Sequence, residues 1–275
     1  MKLAAIQMVS GANIDNNLAV AERLIAQARA DDARLVVLPE SFALFGDSTQ
    51  LKPLAARERS QGYLQSWLAA QARSQQVILV GGTVPVASDD GRAWATCFVH
   101  GEDGALLGRY QKMHLFDAAV GDAQGRYCES RDYRPGLAPC VVDTSLGRLG
   151  VAVCYDLRFA AQFQWMQEQG AELLAVPSAF TRKTGLAHWS LLLRARAVET
   201  QCVAVGANQG GLHSRQRMTS GCSAVVDGWG EVLAEAGYGE AVVMADWNVT
   251  HQREWRRSMP VADHARFTVA PPTDQ

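Results

Sequence analysis

This chain has almost no net charge, no long apolar run and no paired cysteine motif, and each absence removes a class of function. Lysine and arginine number 26 against 28 aspartate and glutamate, a formal charge of -2, so no global field draws the protein to nucleic acid or to an anionic membrane. No stretch reaches the ~18 apolar residues of a membrane-spanning helix. The opening Met1-Lys2-Leu3-Ala4-Ala5-Ile6-Gln7-Met8 is too short an apolar segment for a signal peptide and no cleavage site follows it, so the expected location is the cytoplasm. The six cysteines (Cys97, Cys128, Cys140, Cys154, Cys202, Cys222) form no Cys-x-x-Cys pair, and without an export signal a disulfide framework is not expected. The six histidines show no ligand spacing with one another or with the cysteines, which disfavours zinc. Most of these thiols read as small core residues.

What is present is an ordinary globular composition, 48% hydrophobic and 20% charged over 275 residues, enough for one large domain or two small ones. No composition break, Pro/Ser-rich linker or internal repeat divides it, so residues 1–275 read as a single domain with a C-terminal extension from about residue 250. Residues 3–8 predict a strand. Asn13 is of helix-capping type, and Ile14, Leu18, Ala21, Leu24, Ile25 and Ala28 follow helical spacing to about residue 30. Leu35–Leu38, stopped by Pro39, predicts a buried strand. One helix is expected between about Arg57 and Gln75, then a strand over Val77–Val80 closed by Gly81-Gly82. Trp94–His100 and Ala105–Tyr110 flank the turn-rich Gly101-Glu102-Asp103-Gly104, a hairpin pattern. Further strands are expected at 140–143, 149–154, 172–177, 202–207, 222–226, 231–235 and 241–246, with helices at about 159–169 and 187–200. Such alternation predicts a layered α/β or α+β domain.

Three short segments each deliver one reactive side chain. Leu35-Val36-Val37-Leu38-Pro39-Glu40 ends an apolar run on a carboxylate; Gly108-Arg109-Tyr110-Gln111-Lys112-Met113-His114-Leu115-Phe116-Asp117 carries a lysine after a predicted strand; Gly150-Val151-Ala152-Val153-Cys154-Tyr155-Asp156-Leu157-Arg158-Phe159 ends a second apolar run on a thiol. A base, an electrostatic stabiliser and a nucleophile are what covalent acyl transfer needs. Alone, each has a plainer reading: Cys154 as a buried structural thiol, Glu40 as a solvated acid or helix cap, Lys112 as a surface charge. Together they fit one chemistry. A carboxylate after a buried Leu-Pro loses hydration and is suited to proton transfer. A thiol between a strand and a helix-forming segment can meet a helix N-terminus, which favours thiolate, and the same turn exposes the backbone N–H of Tyr155 to a developing oxyanion.

This ordered Glu–Lys–Cys set resembles the nitrilase (carbon–nitrogen hydrolase) superfamily, from Leu35 to Gly230. The resemblance implies an αββα sandwich, commonly paired through its helices into a homodimer or larger homo-oligomer, and an amidase working without metal or organic cofactor. It maps Glu40 to the general base, Lys112 to the charge stabiliser and Cys154 to the nucleophile. Cys128-Glu129-Ser130, followed by Pro135-Gly136, resembles the region that supplies a second glutamate, so Glu129 maps to an assisting acid; a surface-loop glutamate would look the same. The tail from about Thr250 is expected either to swap onto a partner subunit or to cover its own.

Pro177-Ser178-Ala179-Phe180-Thr181, Thr184-Gly185-Leu186-Ala187-His188-Trp189 and the run from Leu192 to Cys202 resemble the branch of nitrilase-like amidases that act on deaminated glutathione. The neighbouring ω-amidase branch acts on α-ketoglutaramate and α-ketosuccinamate and shares the Lys112-to-Asp117 motif; a carbamoyl-amine hydrolase is a third reading. A catalytically idle scaffold and a thiol redox sensor are the readings outside amide hydrolysis. Thr181 and His188 are candidate substrate contacts, with helix packing the plain alternative for His188 and Trp189. Arg158 could fork onto a substrate carboxylate or onto a buried acid, and Arg194 and Arg196 read as structural ion-pair partners. The chain departs from the branch at Ala160-Ala161, where Pro-Glu is usual, at Gly221-Cys222-Ser223 in place of Gly-His-Ser, and at Asp227-Gly228-Trp229-Gly230 in place of Asp-Pro-Trp-Gly. None of these removes a proposed catalytic residue.

Overall fold

A computed structural model describes residues 1–271. Its strands alternate side chains between two apolar environments, and that alternation builds four layers. The first sheet takes β1 (Lys2–Gln7), β2 (Ala33–Val37), β3 (Ile78–Val80), β4 (Val84–Ala87), β5 (Ala93–His100) and β6 (Leu106–Gln111). A short hairpin, β7 (Asp117–Ala119) with β8 (Arg126–Cys128), follows. The second sheet takes β9 (Cys140–Thr144), β10 (Gly147–Val151), β11 (Leu173–Ser178), β12 (Val203–Asn208), β13 (Ala224–Val226) and β14 (Val232–Glu235). The next strand, β15 (Ala241–Asp246), returns to the first sheet and pairs antiparallel with β1, giving the order β15-β1-β2-β3-β5-β4 with β6 on β5. The second sheet runs β14-β13-β12-β11-β10-β9. Each sheet has a centre of three parallel strands extended by antiparallel ones.

Leu3, Ala5, Leu35 and Val37 of the first sheet meet Leu149, Val151, Val203 and Val205 of the second in one buried cluster. Their neighbours Ala4, Ile6, Val36 and Leu38 face the opposite way, against Leu18, Leu24, Ile25, Leu64 and Leu68 from the helices α1 (Ile14–Ala30) and α3 (Tyr63–Gln75). Leu174, Val176, Ala204 and Val226 likewise face α4 (Ala160–Glu168) and α5 (Arg182–Thr200). Helix, sheet, sheet, helix is the αββα sandwich that the resemblance implied. The central strands are buried on both faces, which is why they read as unbroken apolar runs.

Three local expectations need correction. The single helix expected from Arg57 to Gln75 is two, because α2 (Leu51–Gln61) ends at Gly62, whose φ of 58° terminates a helix at no side-chain cost. The buried Glu58 carboxylate then accepts from the N–H groups of Leu64 (2.7 Å) and Gln65 (3.0 Å), so one turn of α2 caps the start of α3. β4 was not anticipated; it contains Pro85 and lies at the edge of its sheet, where the missing N–H costs no ladder bond. The helix expected from 187 begins at Arg182, because the Thr181 hydroxyl caps it by accepting from the Thr184 N–H at 3.2 Å.

The extension covers its own subunit as far as α6 (Val249–Ser258). Gln252 is buried there; its carbonyl oxygen accepts from the Val203 N–H (3.1 Å) and the Trp247 indole (2.9 Å), and its amide donates to the Glu172 carbonyl. α7 (Val261–His264) and the residues to 271 are mostly exposed, with Phe267 at 85%.

Candidate active site

Four strands of the sandwich end around one cavity of about 460 Å³ whose lining includes Glu40, Lys112, Glu129, Cys154 and Ala179. Glu40 follows β2, Lys112 follows β6, Cys154 follows β10 and Ala179 follows β11. Ligand sites of open α/β sheets lie outside the carboxyl ends of parallel strands for the same reason: that is where loops diverge.

The turn carrying Glu40 is held from several sides. Gln209 donates through its side-chain amide to the Glu40 carbonyl (3.1 Å) and to the Ser10 hydroxyl (2.9 Å), and Ser10 in turn donates to the Phe42 carbonyl (2.8 Å). Ser41 sits in the left-handed region at φ 57°, and its N–H donates to the Thr83 hydroxyl at 2.8 Å. Gly82, at φ 55°, brings its backbone so close that a Cβ there would lie 2.2 Å from the Pro39 carbonyl oxygen. The backbone that carries the carboxylate is thereby fixed.

Lys112 is buried, its side chain 2% exposed. Its ammonium donates to Glu40 Oε1 at 2.8 Å and to both oxygens of Glu129 at 2.9 Å. Burial alone would push the lysine's pKa down, but the carboxylates of Glu129 and Glu40 outweigh it and hold the ammonium well above its ordinary value. Glu129 also accepts from the Phe116 N–H at 2.6 Å; burial raises its carboxyl against the opposing pull of Lys112. Two acids share one buried cation. The thiol of Cys154 stands beside this network, pushed well above its ordinary pKa by burial and by the Glu40 carboxylate, against the pull of Lys112 and of the Ala179 N–H.

The backbone corrects the expectation that the thiol meets the N-terminus of a following α-helix. Cys154 opens a single 3-10 turn, Cys154–Arg158, at φ 49°, and α4 begins only after the break at Phe159. The Asp156 N–H is taken by the Val153 carbonyl, whereas no acceptor among the described residues takes that of Tyr155.

A residue that sequence reasoning missed ties the lysine loop to the cysteine turn. Asp156 is fully buried and accepts from the Tyr110 hydroxyl (2.7 Å), the Val153 N–H (2.8 Å) and the His114 N–H (3.1 Å), with His114 Nδ1 at 2.7 Å. Tyr110 in turn accepts from the Met113 N–H, one residue past Lys112. Asp156→Asn would turn one accepting oxygen into a donor that faces donors. The expected result is a loss of about 2 kcal/mol of stability and a fall of about 10- to 100-fold in kcat/KM from misplaced Lys112 and Cys154, measured by chemical unfolding and steady-state kinetics.

The other candidate contacts have different partners. Arg158 lies 3.3 Å from His188 Nδ1 and over the rings of Tyr155 and Phe180, and neither Arg158 nor His188 is among the cavity-lining residues. Thr181 is buried as the cap of α5. Arg196 pairs with Glu199, as an ion-pair role requires, but Arg194 donates to the Gly230 carbonyl (2.8 Å) instead of to an acid. Of the departures, Ala160 and Ala161 are exposed at the start of α4. The Cys222 carbonyl accepts from the Trp189 indole at 2.6 Å, and a Cβ on Gly228 would lie 2.9 Å from the backbone of Gln201. Among the described residues no cluster of His, Cys, Asp and Glu could hold a metal ion, and no helix is long and apolar enough to cross a membrane.

With this geometry in view, the carbon–nitrogen hydrolase family profile matches residues 2–257. The chain is 39% identical to a deaminated glutathione amidase of Yersinia enterocolitica, over 96% of this chain and 93% of that one. It is also 39% identical to an omega-amidase of Pongo abelii, over 94% and 93%. Among solved structures it resembles a Saccharomyces cerevisiae member of branch 10 of the nitrilase superfamily, with a TM-score of 0.86, 31% identity and 97% of each chain covered.

Proposed function

The chain belongs to the carbon–nitrogen hydrolase family and is an amidase, and from that premise we propose that it hydrolyses deaminated glutathione through a thioester on Cys154. The observation that carries the reading is the single buried network of Glu40, Lys112 and Glu129 on the wall that also presents the thiol. Glu40 takes the Cys154 proton as sulfur attacks the amide carbonyl, the step that the raised thiol requires. The Lys112 ammonium and the Tyr155 N–H receive the charge that develops on oxygen. Collapse breaks the C–N bond, and the leaving amine takes the proton from Glu40. Water then enters, gives a proton to Glu40 and attacks the thioester; sulfur leaves, recovers the proton, and the carboxylic acid departs. Glu129 assists by holding Lys112 through both of its carboxylate oxygens.

The ω-amidase reading stays beside it because relatives of both names reach 39% identity. Both branches cleave a 2-oxo-glutaramyl amide and differ in the leaving group. Side-by-side turnover of deaminated glutathione and α-ketoglutaramate separates them: a kcat/KM at least about 10-fold higher for the tripeptide analogue, the ratio given by ~1.4 kcal/mol, is the expected result, and the reverse preference would assign the enzyme to the small ketoamide. The reading includes self-association, supported by the exposed Leu186, Leu191 and Val198 on α5. It also includes a cytoplasmic location, supported by six cysteines that all stand as free thiols.

A further inference from the structure

The cavity wall contains a cation that the reaction scheme leaves unused. Arg217 lines the cavity, half-buried, with its guanidinium 4.5 Å from the ring centre of Tyr127 and 5.2 Å from that of Phe45. Both rings are themselves fixed. The Tyr127 hydroxyl donates to Asp122 at 2.7 Å, and Phe45 packs at 4.2 Å against His213, whose two ring nitrogens lie 2.7 Å from the Ser10 carbonyl and the Thr219 hydroxyl. The backbone of Arg217 is anchored as well: its N–H donates to the Ser214 hydroxyl, and its carbonyl accepts from the His213 N–H at 2.9 Å.

The other two cations of the cavity are occupied, Lys112 by Glu40 and Glu129 and Arg131 by Asp132. Asp122 spends its oxygens on Tyr127, Gln124 and Gly125. Among the described residues the Arg217 guanidinium has neither a carboxylate within ion-pair distance nor a hydrogen-bond acceptor. An arginine held flat by aromatic faces keeps its fork in one orientation and lacks only the two oxygens that the fork fits.

We propose that Arg217 is the carboxylate anchor of the substrate, binding an acid group remote from the scissile amide. This rests on the reading above, in which the substrate is an amide of a 2-oxo dicarboxylic acid. That substrate has two candidate groups, the 2-oxo acid carboxylate and the C-terminal carboxylate of the leaving dipeptide, and the same guanidinium chemistry serves either.

Arg217→Gln and Arg217→Lys, compared with wild type on deaminated glutathione, its C-terminal glycinamide analogue, α-ketoglutaramate and a neutral short-chain amide, test the proposal. The expected result for Arg217→Gln is a KM for deaminated glutathione raised about 10- to 100-fold, the factor that one charge-assisted bidentate contact supplies. Its kcat should stay close to wild type, Arg217→Lys should recover part of the loss, and the neutral amide should be unaffected. A penalty that disappears with the glycinamide analogue places the anchored group on the leaving dipeptide. A penalty retained there and with α-ketoglutaramate places it on the 2-oxo acid. Unchanged KM values, or an equal loss on the neutral amide, would overturn the assignment. If the wild type turns over neither carboxylate substrate, the proposed substrate fails. The anchor then stands or falls on whether 2-oxoglutarate or cysteinylglycine raises the melting midpoint of the wild type and not of Arg217→Gln.

Discussion

Cys154→Ala is expected to lower amide turnover by at least about 10⁴-fold, the order seen when a covalent nucleophile is removed, while the protein folds with a melting midpoint close to wild type. The kinetic loss is large because no other group can take the role. The other thiols on or near the cavity differ in position: Cys128 ends the hairpin strand β8, and the backbone of Cys222 is engaged by the Trp189 indole. The stability loss is small because one half-buried sulfur is removed from beside a cavity that already exists. Alanine also retains the small Cβ that a φ of 49° tolerates, whereas a β-branched replacement would not. Turnover of the purified variant on deaminated glutathione, alongside its thermal unfolding, checks both parts. Residual activity within about 10-fold of wild type would remove the thioester from the mechanism.

Lys112→Met is expected to abolish activity and also to destabilise the fold, by about 3–5 kcal/mol at neutral pH. Methionine fills a similar volume, so the cost is electrostatic. The carboxylates of Glu40 and Glu129, with side chains 9% and 16% exposed, would share a pocket without a cation. The Glu129 carboxyl, already raised by burial against the pull of Lys112, would lose that opposing pull and lie further above the ~4.3 of an unfolded glutamate. A folded state that binds more protons than the unfolded state loses stability as pH rises through that window. The variant should therefore be more stable near pH 5 than near pH 8. In the wild type the corresponding linkage is to Lys112, whose raised pKa contributes stability that is fully present below the ordinary lysine value and is lost only as pH rises beyond it. Unfolding free energies of both proteins at the two pH values decide the matter. A wild-type-to-variant difference that does not change with pH would mean the two acids are hydrated.

The layers of this protein were legible because burial on both faces writes itself as apolar runs, and amphipathic helices as a repeat of three and four. α1 could be read residue by residue, down to its Asn13 cap. Glu40 and Cys154 stood out because each closes such a run, and Lys112 because it follows a predicted strand. What escaped lies where periodicity is silent. Gly62 breaks a helix without interrupting the apolar spacing around it. β4 hides behind a proline that only an edge strand accepts. The cavity wall at Phe45, Gly46 and Asp47 and at Ser214, Gln216 and Arg217 comes from loops, whose contacts depend on packing between sheets rather than on neighbours in sequence. Asp156 was in plain view inside the cysteine segment, yet its role depends on His114 and Tyr110, which reach it only across the two sheets. For Arg158 and His188 the residue types were suggestive, but the fold sets them against each other.

The pairing of β1 with β15 also constrains how the chain is made. A ribosome delivers β1 before every other strand of its sheet, but one edge of that strand stays uncovered until Ala241–Asp246 has emerged. Gln7, buried beneath the second sheet's outer turns, waits equally long for its partners: its hydrogen bond to the Gly237 carbonyl spans 230 residues. The first sheet can collect α1, β2 and β3 during synthesis, while its last strand is added only after every strand of the second sheet. Until then β1 offers a free, apolar edge to whatever strand is nearest, an exposure that lasts as long as the intervening residues take to be translated.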